Sequence, residues 1–269
     1  MSATQAWDRA AALTVPVDAR PRAESARDAR PRAEIAALRE EFPAIGDLFT
    51  FMRDAELRFA TLRMRIDVRT ATTQGERVET VDVALRHPGE AKILTTQVGG
   101  DITAYDAWVS DGETVRTYTA SRKLGTRRPV RRSVRGLEDP DLPGTSKVYV
   151  PRTDLPAESL PDVFLHPAGY CQNVLATGDC VITGLTSVAG REAIVLECTN
   201  PRTIERIADR PDYLIRLAVD RTDGVILRLE ESMGDHVTRA AEVTSYEPNA
   251  DLTPGSFAFN FPAGTTFIY

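Results

Sequence analysis

The sequence predicts a mainly β protein with helices, an α+β fold. A curved antiparallel half-barrel of about ten or eleven strands would carry an N-terminal helix and a short helical lid. Three observations predict it. Leu62, Met64, Ile66 and Val68 alternate with Arg63, Arg65, Asp67 and Arg69, and the same period of two recurs along the chain. That period gives a strand one dry face and one wet face. Asp111-Gly112, Asp223-Gly224 and Gly234-Asp235 separate such runs. An Asp-Gly pair between β-rich runs signals a hairpin, because the tight turn needs positive φ. Finally, the stretch 137–176 carries six prolines (140, 143, 151, 156, 161 and 167) with short apolar pieces, a long crossover that reads as a cover.

The elements follow in order. Residues 1–41 hold seven Arg and seven acids and repeat DARPRAE at 18–24 and 28–34. Pro21 and Pro31 interrupt any long helix, and few large apolar residues offset the entropy of ordering. The segment reads as a mobile Arg/Pro/Ala-rich arm, with the folded domain at 42–269. Ile45, Leu48, Phe49, Met52 and Phe59 recur at near-helical spacing behind Pro43, which predicts an amphipathic helix. Strands then follow at 62–68, with Val81, Val83 and Leu85, from Ile93, and through AYDAWVS and ETVRTYTAS. LPDVFLH and GYCQNVL predict two short helices in the long connection. Beyond it, DYLIRLAVDRT, VILRLEESM and HVTRAAEVTSYEP are strands, and SFAFNFPAG alternates Phe257, Phe259 and Phe261 with smaller residues. Hairpins join most neighbours, so the sheet is antiparallel. A two-sheet sandwich is the competing arrangement.

Composition narrows the function. The 269 residues suffice for one large β domain or two small ones. A formal net charge of −6 gives no bulk attraction to nucleic acid or anionic lipid. No apolar run reaches transmembrane length. MSATQAWDRAAALTVPVDAR shows no basic start followed by a long apolar stretch, so the expected location is cytoplasmic, with an exported or cell-envelope location as the alternative. Cys171 and Cys180 are near enough in sequence to close a short loop, but the expected state of all three cysteines, Cys198 included, is reduced.

Several phrases carry a family resemblance. AELRFATLRMRIDVR leads to WVSDGETVRTY, then to GLTSVAGREAIVLEC, then to YLIRLAVDRTDGVILRLEE and AAEVTSYEPNADLTPGSFAFNFPAG. Over roughly 45–265 this resembles the outer-membrane lipoprotein carrier family (LolA, LolB and the related sigma-E regulator RseB), most of all its divergent actinobacterial members. The resemblance implies a half-barrel of about eleven strands with a helical lid, holding acyl chains or related amphiphiles. The N-terminal repeat is foreign to the short carriers.

The expected ligand site is the concave apolar surface of Leu62, Met64, Ile66, Val83, Trp108, Tyr118, Val163, Phe164, Ile215, Leu217, Leu227, Leu229 and Phe259. The expected partner is a hydrophobic or acylated ligand; a protein partner such as an anti-sigma factor, bound as RseB-like modules do, is the alternative. Arg127, Arg128, Arg131 and Arg132 belong to a run of seven basic residues within 122–135 and form a candidate anionic-partner patch. Nucleic acid is not expected, since no aromatics interleave those arginines. No P-loop, dinucleotide fingerprint, zinc motif or nucleophile elbow occurs, so no cofactor, metal or catalysis is expected. An enzyme would need a perturbed carboxylate or imidazole in a cleft, and His166 with Asp162 and Glu158 is the trio to inspect.

Overall fold

The computed structural model describes residues 38, 41–99, 104–131, 151–157, 159–201 and 212–268. The arm expected at 1–41 lies outside them apart from Leu38 and Glu41, as do Arg132 and Glu158. Leu38 packs against the core.

Helix α1 (Ile45–Arg53) sets Leu48 and Met52 one turn apart on its buried face. It ends at Asp54, and a 3-10 turn, Ala55–Leu57, swings the chain into the first strand. Phe59 therefore lies beyond the helix that its spacing suggested, yet it is buried in the same core.

The described residues form one sheet of twelve strands. β1 (Thr61–Thr72), β2 (Gly75–Arg86), β3 (Glu90–Gln97), β4 (Tyr105–Asp111), β5 (Thr114–Thr119) and β6 (Leu124–Pro129) run as a meander. Helices α2 (Leu160–Leu165) and α3 (Pro167–Asn173) follow, with the Ser159 hydroxyl capping Asp162 N of α2 at 3.4 Å. Then come β7 (Asp179–Val188), β8 (Arg191–Thr199), β9 (Tyr213–Asp220), β10 (Ile226–Met233), β11 (His236–Pro248) and β12 (Thr266–Phe267). The spatial order is β12-β6-β5-β4-β3-β2-β1-β11-β10-β9-β8-β7, antiparallel except for β12 on β6. The crossover after β6 carries the chain to the far edge, and β11 returns to close the gap beside β1. The sheet is curved and stays open.

The register explains how the faces are used. Leu62, Met64 and Ile66 stand opposite Leu85, Val83 and Val81, and Leu229 opposite Leu217. These side chains meet Leu48, Met52, Phe59, Phe164 and Leu165 from the helices and the β1 approach in one continuous core. The other face is a charged lattice: Arg65–Asp82 at 2.7 Å, Arg228–Glu242 at 2.7 Å, and Arg216 between Glu197 (2.9 Å) and Glu230 (3.0 Å). Such exposed pairs contribute little stability, about 0–1 kcal/mol each. Their role is to keep that face wet.

The turn after β9 shows what its phrase AVDRTDG encodes. Asp220 accepts the backbone N–H groups of Thr222 and Asp223 at 2.9 and 2.6 Å. The Arg191 guanidinium clamps Asp220 at 2.6 and 2.9 Å and reaches Asp223 at 2.7 Å, while Tyr246 Oη donates to Asp223 at 3.1 Å. Gly224 has φ +77° and sits where a Cβ would stand 3.0 Å from the Phe51 carbonyl, so the turn docks tightly on α1.

The C-terminal stretch differs from its expected form. Residues 257–261 keep the alternation of a strand but pair with none: a 3-10 turn, Pro254–Phe257, leads into extended chain and then the two-residue β12. This segment covers the outer face of β4–β6, where Ala107, Val109 and Tyr118 are buried. Phe259 and Phe261 stand 6.1 and 6.3 Å from Tyr118, and Phe267 stands 4.9 Å from Phe261. The end of the sheet that holds β4–β6 is thus covered on its convex side.

Candidate functional site

With an aromatic cover on their outer face, β4–β6 turn their concave face toward the segment 151–157. Pairing puts Trp108 between Ile93 and Thr117, and Val115 between Ser110 and Arg128. Trp108, Ser110, Val115 and Arg128 consequently share the concave side. There they line a cavity of about 270 Å³, with Val130, Arg131, Arg152, Asp154 and Leu155 closing it. Its walls are apolar at Trp108, Val115, Val130 and Leu155. Three arginines stand against one aspartate, so the balance of formal charge around it is positive.

The floor is fixed by hydrogen bonds. Ser110 Oγ donates to the Gly89 carbonyl at 2.8 Å and accepts from Gly112 N at 3.2 Å. Thr153 Oγ1 accepts from Gly89 N at 2.8 Å and pairs with His87 Nδ1 at 2.9 Å. Arg152 N donates to Glu56 Oε2 at 2.8 Å. The segment 151–157 is therefore tied to the β2–β3 turn on one side and to the 3-10 turn after α1 on the other. The cavity has a built wall.

Behind that wall lies a buried polar knot. His166 Nδ1 is 3.0 Å from Asp162 Oδ1, and its Nε2 is 3.5 Å from Glu56 Oε2. His87 stacks on Phe59 at 5.4 Å. Burial pushes the His87 imidazole well below its ordinary 6.5, with His166 and Arg152 pushing the same way. Of the trio an enzyme reading would need, His166 and Asp162 meet, Glu158 lies outside the described residues, and the second acid beside His166 is Glu56. The His166 side chain is 1% exposed and does not line the cavity. This knot joins α2 to the 3-10 turn after α1; a ligand in the cavity does not touch it.

A larger depression of about 440 Å³ lies on the outer face among Asp67, Arg69, Arg228, Glu230 and Glu242. Arg228 pairs there with Glu242, while Glu230 pairs with Arg216 outside it. It is shallow and open, with charged side chains around Leu229, Ala240 and Ala241.

The residues expected to line a concave site separate into three groups. Leu62, Met64, Ile66, Val83, Phe164, Ile215, Leu217, Leu227 and Leu229 are 0–2% exposed and packed against the helices, with Val163 at the margin of that core. Trp108 lines the cavity. Tyr118 and Phe259 lie on the opposite face, because Tyr118 pairs with Ala107 while the concave Trp108 pairs with Thr117. Of the basic patch, Arg128 and Arg131 reach the cavity, and Arg127 pairs with Arg116 on the outer face. Sequence reasoning missed Ser110, Val115, Arg152 and Leu155. The hairpin signal Asp111-Gly112 held the means to find Val115, since pairing across that turn puts it beside Trp108's strand.

No protein-family model and no curated protein matches the chain. Solved structures similar to it include MucB (16% identity, 80% of this chain and 62% of that one, TM-score 0.46). Others are the Mycobacterium tuberculosis lipoprotein LppX (9% identity, 78% and 99%, TM-score 0.41) and LprF from Mycobacterium bovis (11% identity, 81% and 100%, TM-score 0.37). The chain spans 62% of the length of MucB, which has also been solved in complex with MucA. These are distant likenesses. Among the described residues no helix is long and apolar enough to cross a membrane.

Proposed function

We propose that the chain binds, without transforming, an amphiphile with an apolar body and an anionic head. The carrying observation is the concave cavity of about 270 Å³ walled by Trp108, Val115 and Leu155, with Arg128 and Arg131 beside it. The volume is just below the usual small-molecule range of about 300–1,000 Å³, so it takes part of an acyl chain. Each methylene it buries contributes about 0.8 kcal/mol. The arginines suit a carboxylate or phosphate head through charge-assisted hydrogen bonds. This reading keeps the apolar ligand expected from the sequence and moves its site from the centre of the sheet to the β4–β6 end.

A second reading, a module that binds a protein partner, is favoured by one feature. β12 pairs with β6 only at Leu124 and Gly125. Among the described residues the outer edge of β6 from Thr126 to Pro129 has no strand beside it, and an extended segment of a partner can add there.

Fluorescence separates the two. The chain has two tryptophans, Trp7 and Trp108, so Trp7→Phe leaves Trp108 as sole reporter. Titration with dodecanoic acid is expected to give a saturable change, stronger than with dodecanol, and Arg128→Ala with Arg131→Ala is expected to erase that preference. A Trp108 signal that never saturates with either probe removes the amphiphile reading.

A further inference from the structure

The β7–β8 ladder sets Cys180 directly opposite Cys198. Directly opposed residues of antiparallel strands have Cα atoms about 4.5–5.5 Å apart, within the span of about 4.4–6.8 Å that a disulfide bridges. The two sulfurs also converge: Cys180 Sγ lies 3.2 Å and Cys198 Sγ 3.5 Å from the carbonyl oxygen of Leu175. Both thiols thus donate to one carbonyl oxygen, which brings the two sulfurs side by side. All three cysteines are free. Cys171, which the sequence offered as a loop partner for Cys180, points elsewhere; it is buried with its sulfur 3.8 Å from Met52 Sδ.

We propose that Cys180 and Cys198 are a redox pair, a modification site that closes to a cross-strand disulfide on reaction with a small-molecule disulfide of the glutathione class. Access sets the order of events. β7 is the edge of the sheet and Cys180 is half-buried on it, whereas Cys198 is buried. The neighbouring Cys198 thiol and burial raise the pKa of Cys180; the fraction that loses its proton to solvent attacks, as thiolate, one sulfur of glutathione disulfide. The glutathione S–S bond breaks, a mixed disulfide forms, and one glutathione thiolate leaves. Cys198 then gives up its proton and attacks the Cys180 sulfur, releasing the second thiolate. The two released thiolates take up the two protons, so both cysteines are oxidised and one glutathione disulfide is reduced to two thiols.

Closure leaves no backbone group stranded. The Leu175 carbonyl loses its thiol neighbours but keeps the N–H of Gly178 at 3.2 Å. The new bond fastens the edge strand to β8 beside the 3-10 turn Leu175–Thr177, the point where the helical cover joins the sheet.

Peptide mapping reads the result directly. Arg191 lies between the two cysteines, and no Lys or Arg lies between Cys171 and Cys180. Trypsin therefore puts Cys198 on a different peptide from Cys180, while Cys171 and Cys180 stay together. After incubation of the full folded chain with glutathione disulfide, the expected product is the two peptides joined, lighter by two hydrogens and separated again by a phosphine. Cys171→Ser is expected to give the same product, and Cys180→Ser to give none. A link involving Cys171, a lasting glutathione adduct on Cys180, or three unreacted thiols overturns the proposal.

Discussion

His87 shows how one buried side chain couples this architecture to pH. It faces Thr153, the Phe59 ring, His166 and Arg152, and burial holds its imidazole neutral well below the ordinary 6.5. The unfolded chain takes up a proton near 6.5 while the folded chain does not. The unfolded state then binds more protons below that pH, so stability contributed by neutral His87 is complete above 6.5 and is lost as the pH falls beneath it. The loss approaches about 1.4 kcal/mol per pH unit. Urea unfolding at a series of pH values between 7.5 and 5 is expected to show this slope, and His87→Gln, which keeps a partner for Thr153 but does not titrate, is expected to flatten it. Parallel slopes for the two proteins refute the assignment. Nothing in the sequence announced this residue. The three histidines are far apart in the chain, and His87 becomes special only because Thr153, some sixty residues on, returns to it.

At the scale of elements, the hairpins were legible and the C-terminal strap was not. Asp111-Gly112 and Asp223-Gly224 specify turns by local backbone chemistry, and both glycines take positive φ, 88° and 77°. Phe257, Phe259 and Phe261 share the alternation of a strand, but period two records only which side of an extended chain is dry. It does not say whether a neighbour supplies backbone partners. Here the partner is the buried outer face of β4–β6, met through side chains. Gly125 carries that contact: a Cβ there would stand 2.7 Å from Phe261 Cε1 and 2.8 Å from Thr265 Cγ2. Gly125→Ala is therefore expected to cost about 1–3 kcal/mol through overpacking. The cost is expected to shrink in a Phe261→Ala background, a non-additivity that a double-mutant cycle in urea reads. Equal costs in both backgrounds would mean that the strap does not press on this strand.

For the molecule as a whole, the apolar concave face was readable from alternation alone, yet which part of it is full was not. Strand patterning gives every inward residue the same label. Leu217 and Trp108 differ only because the helices, arriving through a crossover of some fifty residues, lie over one end of the sheet and the segment 151–157 arches over the other. The division has a measurable consequence. Leu217→Ala removes a side chain that is 1% exposed in the packed half, and is expected to cost about 2–5 kcal/mol of stability while leaving dodecanoic acid affinity unchanged under folding conditions. Ala157→Trp adds bulk at an exposed position on the cavity wall, and is expected to do the reverse, weakening binding at least tenfold with little change in the urea midpoint. If Leu217→Ala were instead to raise affinity, or Ala157→Trp to leave it untouched, the ligand would have to sit among the helices, and the packed end of the sheet would be the functional one.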